Sequence, residues 1–499
     1  MDIVNIHRDV IKFYQRHKIL ISAEHKRYLK RTRRELVRLY PTKQDQEKLD
    51  PSADLVRTLF LLDLEPLRPQ LQSLYSAKPR GTLPRDPIQM LRSLLCMTLS
   101  GETASFTKWV AKLRSQPLLA VLSGFAEGTP GIGTFYDFTA RLYPEPTNPI
   151  TRQPVSKPKG SDKGLRPRAG IVQQLVTKAL ANQEKALPAF PALRLNLLLK
   201  PLVLRSASLG LLSSAAAIEL AGDGTKFKTG ARASGRKLCD CGKLGLYRCD
   251  CPRRYTDRFA SWGWDSYREC FVYGHAYYEL TAASSPHDLP IFLHLAQAKE
   301  HDSVSGVKAF ERARKLYPEL SFATFLGDAA HDNYPTYNLL RAHEVTPIIA
   351  LNSRHTGHYQ LDANFTTDSS GVPVCPKGEL MVASGFSPDR CRLKWRCPRA
   401  AHHREQPCQC SPSDYGRVFY TKPEDDPRLF THPPRNSKAW KQAYKKRTSV
   451  ERSHKRKKID FHLEAARVRS RRQWAVRICL MAICQHAAAW TDLFEQSVD

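Results

Sequence analysis

The order of apolar segments between residues 217 and 351 constrains the fold of this chain more than any other feature. Five segments are rich in β-branched and aromatic residues and have the length of strands, and two amphipathic segments lie between them. The predicted strands are 218–223, 267–281, 288–296, 321–328 and 345–351, and the predicted helices are 303–316 and 334–343. Three strands followed by helix, strand, helix and strand predict a mixed α/β sheet.

Two of the predicted strands end in an aspartate that follows a glycine. Asp223 lies between Gly222 and Gly224, and Asp328 follows Gly327. Mixed α/β sheets place their chemistry at the ends of strands. Either aspartate alone also suits an ordinary turn at a strand end, so the pair, more than either residue, indicates a site.

A strongly basic segment near the C-terminus carries a single glutamate. Tyr444, Glu451 and Lys458 are spaced seven residues apart, and Arg447 lies one helical turn before Glu451. One α-helix over this segment would place all four side chains on a single stripe. A lone carboxylate among cations stays ionised and can bind a divalent metal, while its neighbours bind phosphates. An exposed helix with one routine Arg–Glu ion pair is the alternative interpretation.

Asp223, Asp328 and Glu451 are therefore candidate metal ligands. Three carboxylates that converge on one point repel each other unless a cation lies among them. Mg²⁺ prefers a few carboxylates together with water and phosphate oxygens, and two such ions can stabilise an in-line phosphoryl displacement. Asp302 and Asp332 are weaker candidates near the same site, because both are also placed to cap helices.

The overall charge favours a nucleic-acid partner. The 499-residue chain has 78 Lys and Arg against 48 Asp and Glu, a formal net charge of +30. This excess suits a polyanion, and double-stranded DNA is the first candidate. The first residues lack the pattern of a signal peptide, and no apolar run reaches the length of a membrane span. We therefore expect a cytoplasmic, nucleoid-associated protein with no membrane contact.

Changes in composition divide the chain into five regions. Residues 1–143 predict a basic, helical N-terminal region that binds DNA, with a helix over 88–99 and a later helix capped by Thr134. A helix-turn-helix-like unit and a plain helical bundle both fit this region. The other regions are a basic Pro-rich linker over 144–170, the first part of the α/β core over 171–351 with a Cys-rich hairpin insert at 235–265, a Cys-rich insertion over 352–440, and a C-terminal helical part of the core over 441–499.

Two groups of cysteines suit structural metal sites. Cys239, Cys241, Cys249 and Cys251 lie close together in the hairpin insert, and four thiolates suit tetrahedral zinc. Free surface thiols on a loop are the alternative. The second group lies in the insertion and is open to the same two interpretations. It comprises Cys391, Cys397, Cys408 and Cys410, with Cys375, His402 and His403 nearby.

Taken together, these motifs resemble the DDE transposases of bacterial insertion sequences. The similarity is to the branch whose third acid lies in a Tyr-Arg-Glu-Lys signature. The residues that carry it are Asp223-Gly-Thr, Gly327-Asp328 and Tyr444-x2-Arg447-x3-Glu451-x6-Lys458. Residues 133–142, 415–420 and 447–452 are also similar to the family, and the resemblance covers residues 84–490.

The resemblance implies a fold and a reaction. The fold is an RNase H-like mixed-sheet catalytic core with a mainly β insertion, preceded by an all-α N-terminal domain. Asp223, Asp328 and Glu451 would bind two Mg²⁺ (or Mn²⁺) ions, and Tyr444, Arg447 and Lys458 would bind DNA. One metal ion would activate water to hydrolyse the phosphodiester at an element end, and the freed 3′-hydroxyl would attack target DNA. The N-terminal region would bind terminal inverted repeats, and a homodimer would hold two transposon ends in a synaptic complex.

Three other functions stay open on the sequence alone. The chain could be a hydrolytic nuclease of the same fold, or a DNA-binding protein of the same ancestry that has lost catalysis. It could also be a zinc-dependent nucleic-acid-binding module whose acids are structural. Strand transfer separates the first from a transposase, and the intact acids argue against the second.

Overall fold

A computed structural model gives the fold and most side-chain positions of the chain. The described residues are 3–76, 83–102, 105–125, 128–158, 170–182, 191–352, 360–362, 365–402, 409–465 and 468–498. Short 3₁₀ turns and one π-helical turn, Arg456–Asp460, join some of the regular elements.

The helices make up most of the N-terminal region and the C-terminus. They are α1 Ile3–Arg16, α2 Ala23–Leu39, α3 Lys43–Glu47, α4 Ala53–Leu61, α5 Arg68–Gln72, α6 Pro87–Leu99, α7 Phe106–Ser115, α8 Pro117–Ser123, α9 Ile132–Leu142, α10 Ile171–Ala181, α11 Pro191–Ser208, α12 Asp302–Leu316, α13 Tyr334–Ala342, α14 Pro398–Ala401, α15 Lys438–Lys445, α16 Thr448–Lys455 and α17 Arg471–Val498.

The strands lie mainly in the middle of the chain. They are β1 Ile150–Arg152, β2 Ile218–Lys228, β3 Arg236–Lys237, β4 Arg253–Tyr255, β5 Ser261–Asp265, β6 Cys270–Ala282, β7 Pro290–Gln297, β8 Phe322–Gly327, β9 Thr346–Ile349, β10 Gln360–Asp362, β11 Phe365–Thr367, β12 Pro373–Val374, β13 Val382–Ser387, β14 Arg392–Arg396 and β15 Val418–Thr421.

The central sheet contains all five strands predicted from the sequence, and it is mixed. Its order is β5-β6-β2-β8-β9, and β7 also pairs with β6. The pairs β2–β6, β5–β6 and β6–β7 are antiparallel, whereas β2–β8 and β8–β9 are parallel. This arrangement confirms a mixed α/β sheet and is consistent with an RNase H-like core. The sequence did not predict β5, which extends the sheet along the first half of β6.

Strand β2 is longer than the sequence predicts. It continues past Asp223 to Lys228, because β6 keeps pairing with it as far as Lys228↔Gly274. Asp223 is therefore a mid-strand residue and not a strand-end residue. It nevertheless lies just past the point where β2 leaves its parallel neighbour, since the last β2–β8 pair is Ala221↔Leu326.

The N-terminal helices and the sheet share one continuous hydrophobic core. Helix α17 packs on α4, α6 and α9 as well as on α11 and β7. Helix α2 is strongly basic but buries one face, including Tyr28, Leu29 and Leu36, against this core. The predicted Thr134 cap is also wrong, because α9 begins at Ile132 after Gly131 and places Thr134 inside the first turn.

Part of the predicted linker is ordered. Residues 150–152 form β1, which pairs antiparallel with β4 of the hairpin insert. Tyr255 pairs with Ile150 across these strands, and its hydroxyl accepts a 2.9 Å hydrogen bond from the Val155 amide. The Arg152 guanidinium lies 4.5 Å from the Tyr255 ring centroid. Residues 159–169 of that linker lie outside the described residues.

The insertion between β9 and α15 has a small core of its own. Strands β10–β12 form one three-stranded sheet, and β13–β15 form another. Its buried residues are Phe365, Val372, Cys375, Met381, Leu393 and Trp395.

The basic segment near the C-terminus does not form the single helix that its spacing predicts. Helix α15 ends at Lys445, α16 runs over Thr448–Lys455, and the π-helical turn Arg456–Asp460 follows. Tyr444, Glu451 and Lys458 therefore lie on three different elements and share no straight stripe. Tertiary contacts explain this break in the helix, because several of the basic side chains form ion pairs with β2, β6 and the loop after β6.

Three ion pairs anchor this segment. Lys446 pairs with Glu219 of β2 at 2.6 Å, and Arg452 forms a two-pronged contact with Asp288 at 2.7 and 2.6 Å. The third pair, Lys457 with Glu279 of β6 at 2.9 Å, is fully buried. Lys457 is thus neither solvated nor able to face a phosphate, whereas the Lys446 and Arg452 side chains stay 44% and 54% exposed.

Removing Lys457 should destabilise the protein strongly. Lys457→Met leaves the Glu279 carboxylate buried without its cation, and loss of one partner of such a pair costs about 3–5 kcal/mol. The double variant Glu279→Leu/Lys457→Met removes both charges and should recover much of that loss. Thermal unfolding of the variants measures both effects. Lys455→Met, at an exposed position of the same segment, is the control, and equal unfolding temperatures for Lys455→Met and Lys457→Met would contradict the account.

Candidate active site

The two predicted aspartates lie on and directly after neighbouring strands of the sheet: Asp223 is on β2, and Asp328 follows the last residue of β8. The parallel register of β2 and β8 ends at Ala221↔Leu326, and Asp223 and Asp328 each lie two residues beyond it. Solvent reaches 22% of the Asp223 side chain and 41% of the Asp328 side chain. Both carboxylates are therefore held by the sheet yet open to a ligand.

A third carboxylate belongs to this group. Asp302, in the first turn of α12, lies so close to the Gly224 backbone that a Cβ at that position would overlap its Oδ1. Gly224 is thus required by close packing beside Asp223. The sequence ranked Asp302 below the other acids, and the structure places it with them.

The acids repel one another. Burial, followed by the negative charges of Asp328 and Asp302, raises the pKa of Asp223 to about 8. A divalent cation among these oxygens would remove that repulsion, and carboxylates are the ligands that Mg²⁺ prefers. The donor set therefore fits a hard divalent metal ion.

The buried His331 ring orients the Asp328 carboxylate through a side-chain hydrogen bond. Its Nδ1 lies 2.8 Å from Asp328 Oδ1, and its Nε2 lies 2.7 Å from the Tyr278 hydroxyl. Burial alone would lower the pKa of His331, but the hydrogen bond and charge of Asp328 outweigh it and raise the pKa. Burial likewise opposes the shift of Asp328, whose pKa is lowered by the hydrogen bond and charge of His331. Sequence reasoning missed His331, although its position three residues after Asp328 was a usable signal.

Glu451 lies on α16, which packs on β2 and β6. Its side chain is 48% exposed and accepts a 2.6 Å hydrogen bond from Arg447 Nη2. The Arg447 charge also opposes the raised pKa of Asp223 and contributes to the lowered pKa of Asp328. Among the described residues, the carboxylate oxygens of Asp223, Asp328 and Glu451 do not all lie within 4.8 Å of one another. The structure thus brings Asp223 and Asp328 together and holds Glu451 near them through Arg447.

The other residues of the basic segment also face this region. His454 Nδ1 lies 3.9 Å from Asp223 Oδ2; burial lowers the His454 pKa far below 6.5, so this contact joins a neutral ring to the acid. Lys458 Nζ lies 3.5 Å from the Lys226 carbonyl oxygen on β2. Tyr444 stacks on Trp440 with ring centroids 5.0 Å apart, and its own ring lies beside Arg447.

Asp332 is not part of the site. Both of its oxygens accept hydrogen bonds from Arg428, at 2.9 and 2.8 Å, and both side chains are buried. It does not cap α13 either, because Asn333 holds that position. Through Arg428, Asp332 instead ties the start of α13 to the C-terminal part of the insertion.

The structure supports a metal site for one of the two predicted cysteine groups and leaves the other untested. Cys239, Cys241, Cys249 and Cys251 place their sulfurs within 4.8 Å of one another and could hold a metal ion. In the insertion, Cys375 and Cys410 belong to the hydrophobic core. Cys408 and His403 lie outside the described residues, so zinc binding by this second group stays a prediction.

A basic groove of about 810 Å³ lies on the N-terminal helices. Arg27, Lys30 and Arg34 of α2 line it, and Arg92 of α6 lies at its floor. The Arg92 guanidinium stacks 3.7 Å from the Tyr28 ring centroid, and its buried Nε and Nη2 have no hydrogen-bond partner.

No helix in the described ranges is long and apolar enough to cross a membrane.

Comparison with known proteins identifies one family. A family model described as "Transposase DDE domain" matches residues 220–485, which is more than half of the chain and includes Asp223, Asp328 and Glu451. No curated protein and no solved structure matches the chain.

In metal-free protein, the His331 ring should titrate above pH 6.5, because the charge of Asp328 stabilises the protonated form. Asp328→Asn removes that charge and should lower the pKa of His331. Titration of ¹³C-labelled histidines by NMR measures the shift, with His331→Gln to assign the signal and Glu424→Gln, at an exposed position, as the control. An unchanged His331 pKa in Asp328→Asn would show that the pair is not coupled.

Proposed function

Because the chain belongs to the DDE transposase family, we propose that it is the transposase of an insertion sequence and moves DNA by metal-dependent cleavage and strand transfer. The observation that best supports this function is the position of Asp223 on β2 and of Asp328 directly after the adjacent parallel strand β8, inside the matched region. The mixed sheet around them supports an RNase H-like core, with the insertion 352–440 lying between the second and third acids.

Asp223, Asp328 and Glu451 are the proposed ligands of two Mg²⁺ or Mn²⁺ ions. Bound there, the metals would supply an activated water and charge stabilisation at the scissile phosphate. The mutual repulsion of the aspartates supports this assignment, because it is relieved only by positive charge. His331 holds Asp328 in one orientation, and the anchored α16 holds Glu451 over β2.

Tyr444, Arg447 and Lys458 are the proposed contacts to DNA near the cleaved end. Arg447 and Lys458 can neutralise phosphate charge without being metal ligands. Support comes from their placement around Asp223: Arg447 bonds to Glu451, and Lys458 reaches the β2 carbonyl three residues after Asp223. Tyr444 is held against Trp440 and presents its ring beside Arg447.

The basic groove of the N-terminal helices is the proposed site for the terminal inverted repeats. The exposed Lys30 and Arg34 side chains line this groove and are accessible to DNA phosphates. DNA-backbone binding of this kind depends on salt, because each neutralised phosphate releases counterions. Two copies of the chain, each on one element end, would form the synaptic homodimer.

The catalytic proposal predicts a separation between binding and chemistry. Asp223→Asn, Asp328→Asn and Glu451→Gln should each abolish Mg²⁺-dependent cleavage and strand transfer while DNA binding survives. Loss of several kcal/mol of charge stabilisation corresponds to a rate decrease of about a thousandfold. Nicking and joining are measured on duplex DNA that carries the segments bracketing the coding sequence.

Glu424→Gln, a carboxylate change at an exposed position of the insertion, is the matched control and should keep full activity. Unchanged cleavage in any of the three site variants would remove that residue from the catalytic set. Cleavage without joining to a target would favour a hydrolytic nuclease.

The groove proposal predicts a change in salt dependence. Lys30→Ala/Arg34→Ala removes two phosphate contacts, so the slope of log K against log[salt] should fall by about 2. Fluorescence anisotropy over a salt series with the same duplex measures the slope. Lys12→Ala/Lys43→Ala, an equal charge change on exposed residues outside the groove, should leave the slope nearly constant. Equal losses in both double variants would show that the groove binds DNA no better than the rest of the surface.

A further inference from the structure

The hairpin insert between β2 and β5 brings four thiols together. Cys239 and Cys249 place their sulfurs 3.5 Å apart, and Cys241 and Cys251 place theirs 3.6 Å apart. All four sulfurs lie within 4.8 Å of one another, and all four cysteines are free. In a tetrahedral Zn–S₄ centre with bonds of about 2.3 Å, the sulfurs are about 3.8 Å apart. A disulfide would need sulfurs about 2.05 Å apart.

We propose that Cys239, Cys241, Cys249 and Cys251 bind one structural zinc ion as four thiolates. Four protein ligands complete the tetrahedron and leave no open position for water or substrate, which is the arrangement of structural zinc sites. Binding releases the thiol protons to solvent and changes no oxidation state. The site lies outside the carboxylate group and takes no part in the reaction.

The charge around the four cysteines supports thiolates. Zinc with four thiolates carries a formal charge of −2, which nearby cations must balance. Residues 236–254 contain six basic residues against two acids, Asp240 and Asp250. Two of the basic side chains also bind the hairpin backbone: Lys237 donates to the Tyr247 carbonyl at 2.6 Å, and Arg253 donates to the Cys249 carbonyl at 3.3 Å.

The hairpin tip has little else to hold it. Its apolar residues Leu244, Leu246 and Tyr247 are 77%, 57% and 79% exposed, and none belongs to a hydrophobic core of the described residues. Short turns supply its backbone hydrogen bonds, such as those from the Leu244 and Leu246 amides to the Cys241 carbonyl. A segment of this size that buries no apolar core needs a metal or a disulfide to stay folded. The four sulfurs are at the one point where such a link would close the tip.

The zinc site would also hold in place the strands that connect the N-terminal helices to the central sheet. Strand β4, which follows Cys251, pairs with β3 on one side and with β1 on the other. Arg152 of β1 donates to the Tyr273 hydroxyl of β6 at 3.2 Å. Ordering the hairpin therefore orders a strand that joins residues 150–152 to the central sheet.

Metal analysis of the purified full-length protein tests the proposal. Cys241→Ser/Cys251→Ser should lower the zinc content by one equivalent per chain relative to the unchanged protein. Cys270→Ser, which alters a cysteine outside the group at the start of β6, should keep that equivalent. Any zinc in the insertion is the same in both variants, so the difference reports on this site alone.

Two further measurements distinguish loss of the zinc ligands from general unfolding of the variants. Cys249→His supplies a different zinc ligand at the same position and should keep the metal that Cys249→Ser loses. Protein loaded with Co²⁺ should show the intense thiolate charge-transfer and tetrahedral d–d absorption bands, and these should vanish in Cys241→Ser/Cys251→Ser. Equal zinc in Cys270→Ser and in the double variant would overturn the proposal. So would intact-mass analysis that finds Cys239–Cys249 and Cys241–Cys251 disulfides, or four freely alkylated thiols, in the metal-analysed protein.

Discussion

The buried ion pair between Lys457 and Glu279 fixes the geometry on which the rest of the site depends. Glu279 lies directly opposite Asp223 in the β2–β6 ladder, so an unpaired Glu279 would place another negative charge beside an already repelled aspartate. Lys457 neutralises it from the π-helical turn at the end of the basic segment. One contact thus balances charge in the sheet and ties the helix that carries Glu451 to the strand beside the aspartates.

Charge balance also explains how a chain with an excess of basic residues builds an acidic site. The carboxylates of Asp223, Asp328 and Asp302 gather where β2 leaves β8, and Arg447 and His331 offset part of their charge. Arg447 pairs with Glu451, and its charge also acts on Asp223 and Asp328. The family membership and this repulsion both support the proposed metal-dependent chemistry.

The sequence predicted those features of the fold that depend on local pattern. The five strands and two helices of residues 217–351 follow from apolar periodicity, and the two aspartates were found because each follows an apolar run and a glycine. The sequence could not predict features set by distant partners. The break in the segment 444–458 depends on Glu219, Asp288 and Glu279, which lie far away in the chain. Asp332 looked like a cap or an active-site acid because its partner, Arg428, lies 96 residues further along the chain.

Local cleavage of the chain by a bound metal tests the central claim that Asp223, Asp328 and Glu451 bind the same metal centre. Fe²⁺ substituted for Mg²⁺ in the DNA-bound protein, with ascorbate and peroxide, generates radicals that cut the backbone next to the metal. Mass spectrometry of the fragments should locate cuts close to residues 223, 328 and 451, and excess Mg²⁺ should suppress all three together. Cuts near residues 223 and 328 without any near residue 451 would contradict the account, because Glu451 would then lie outside the metal site.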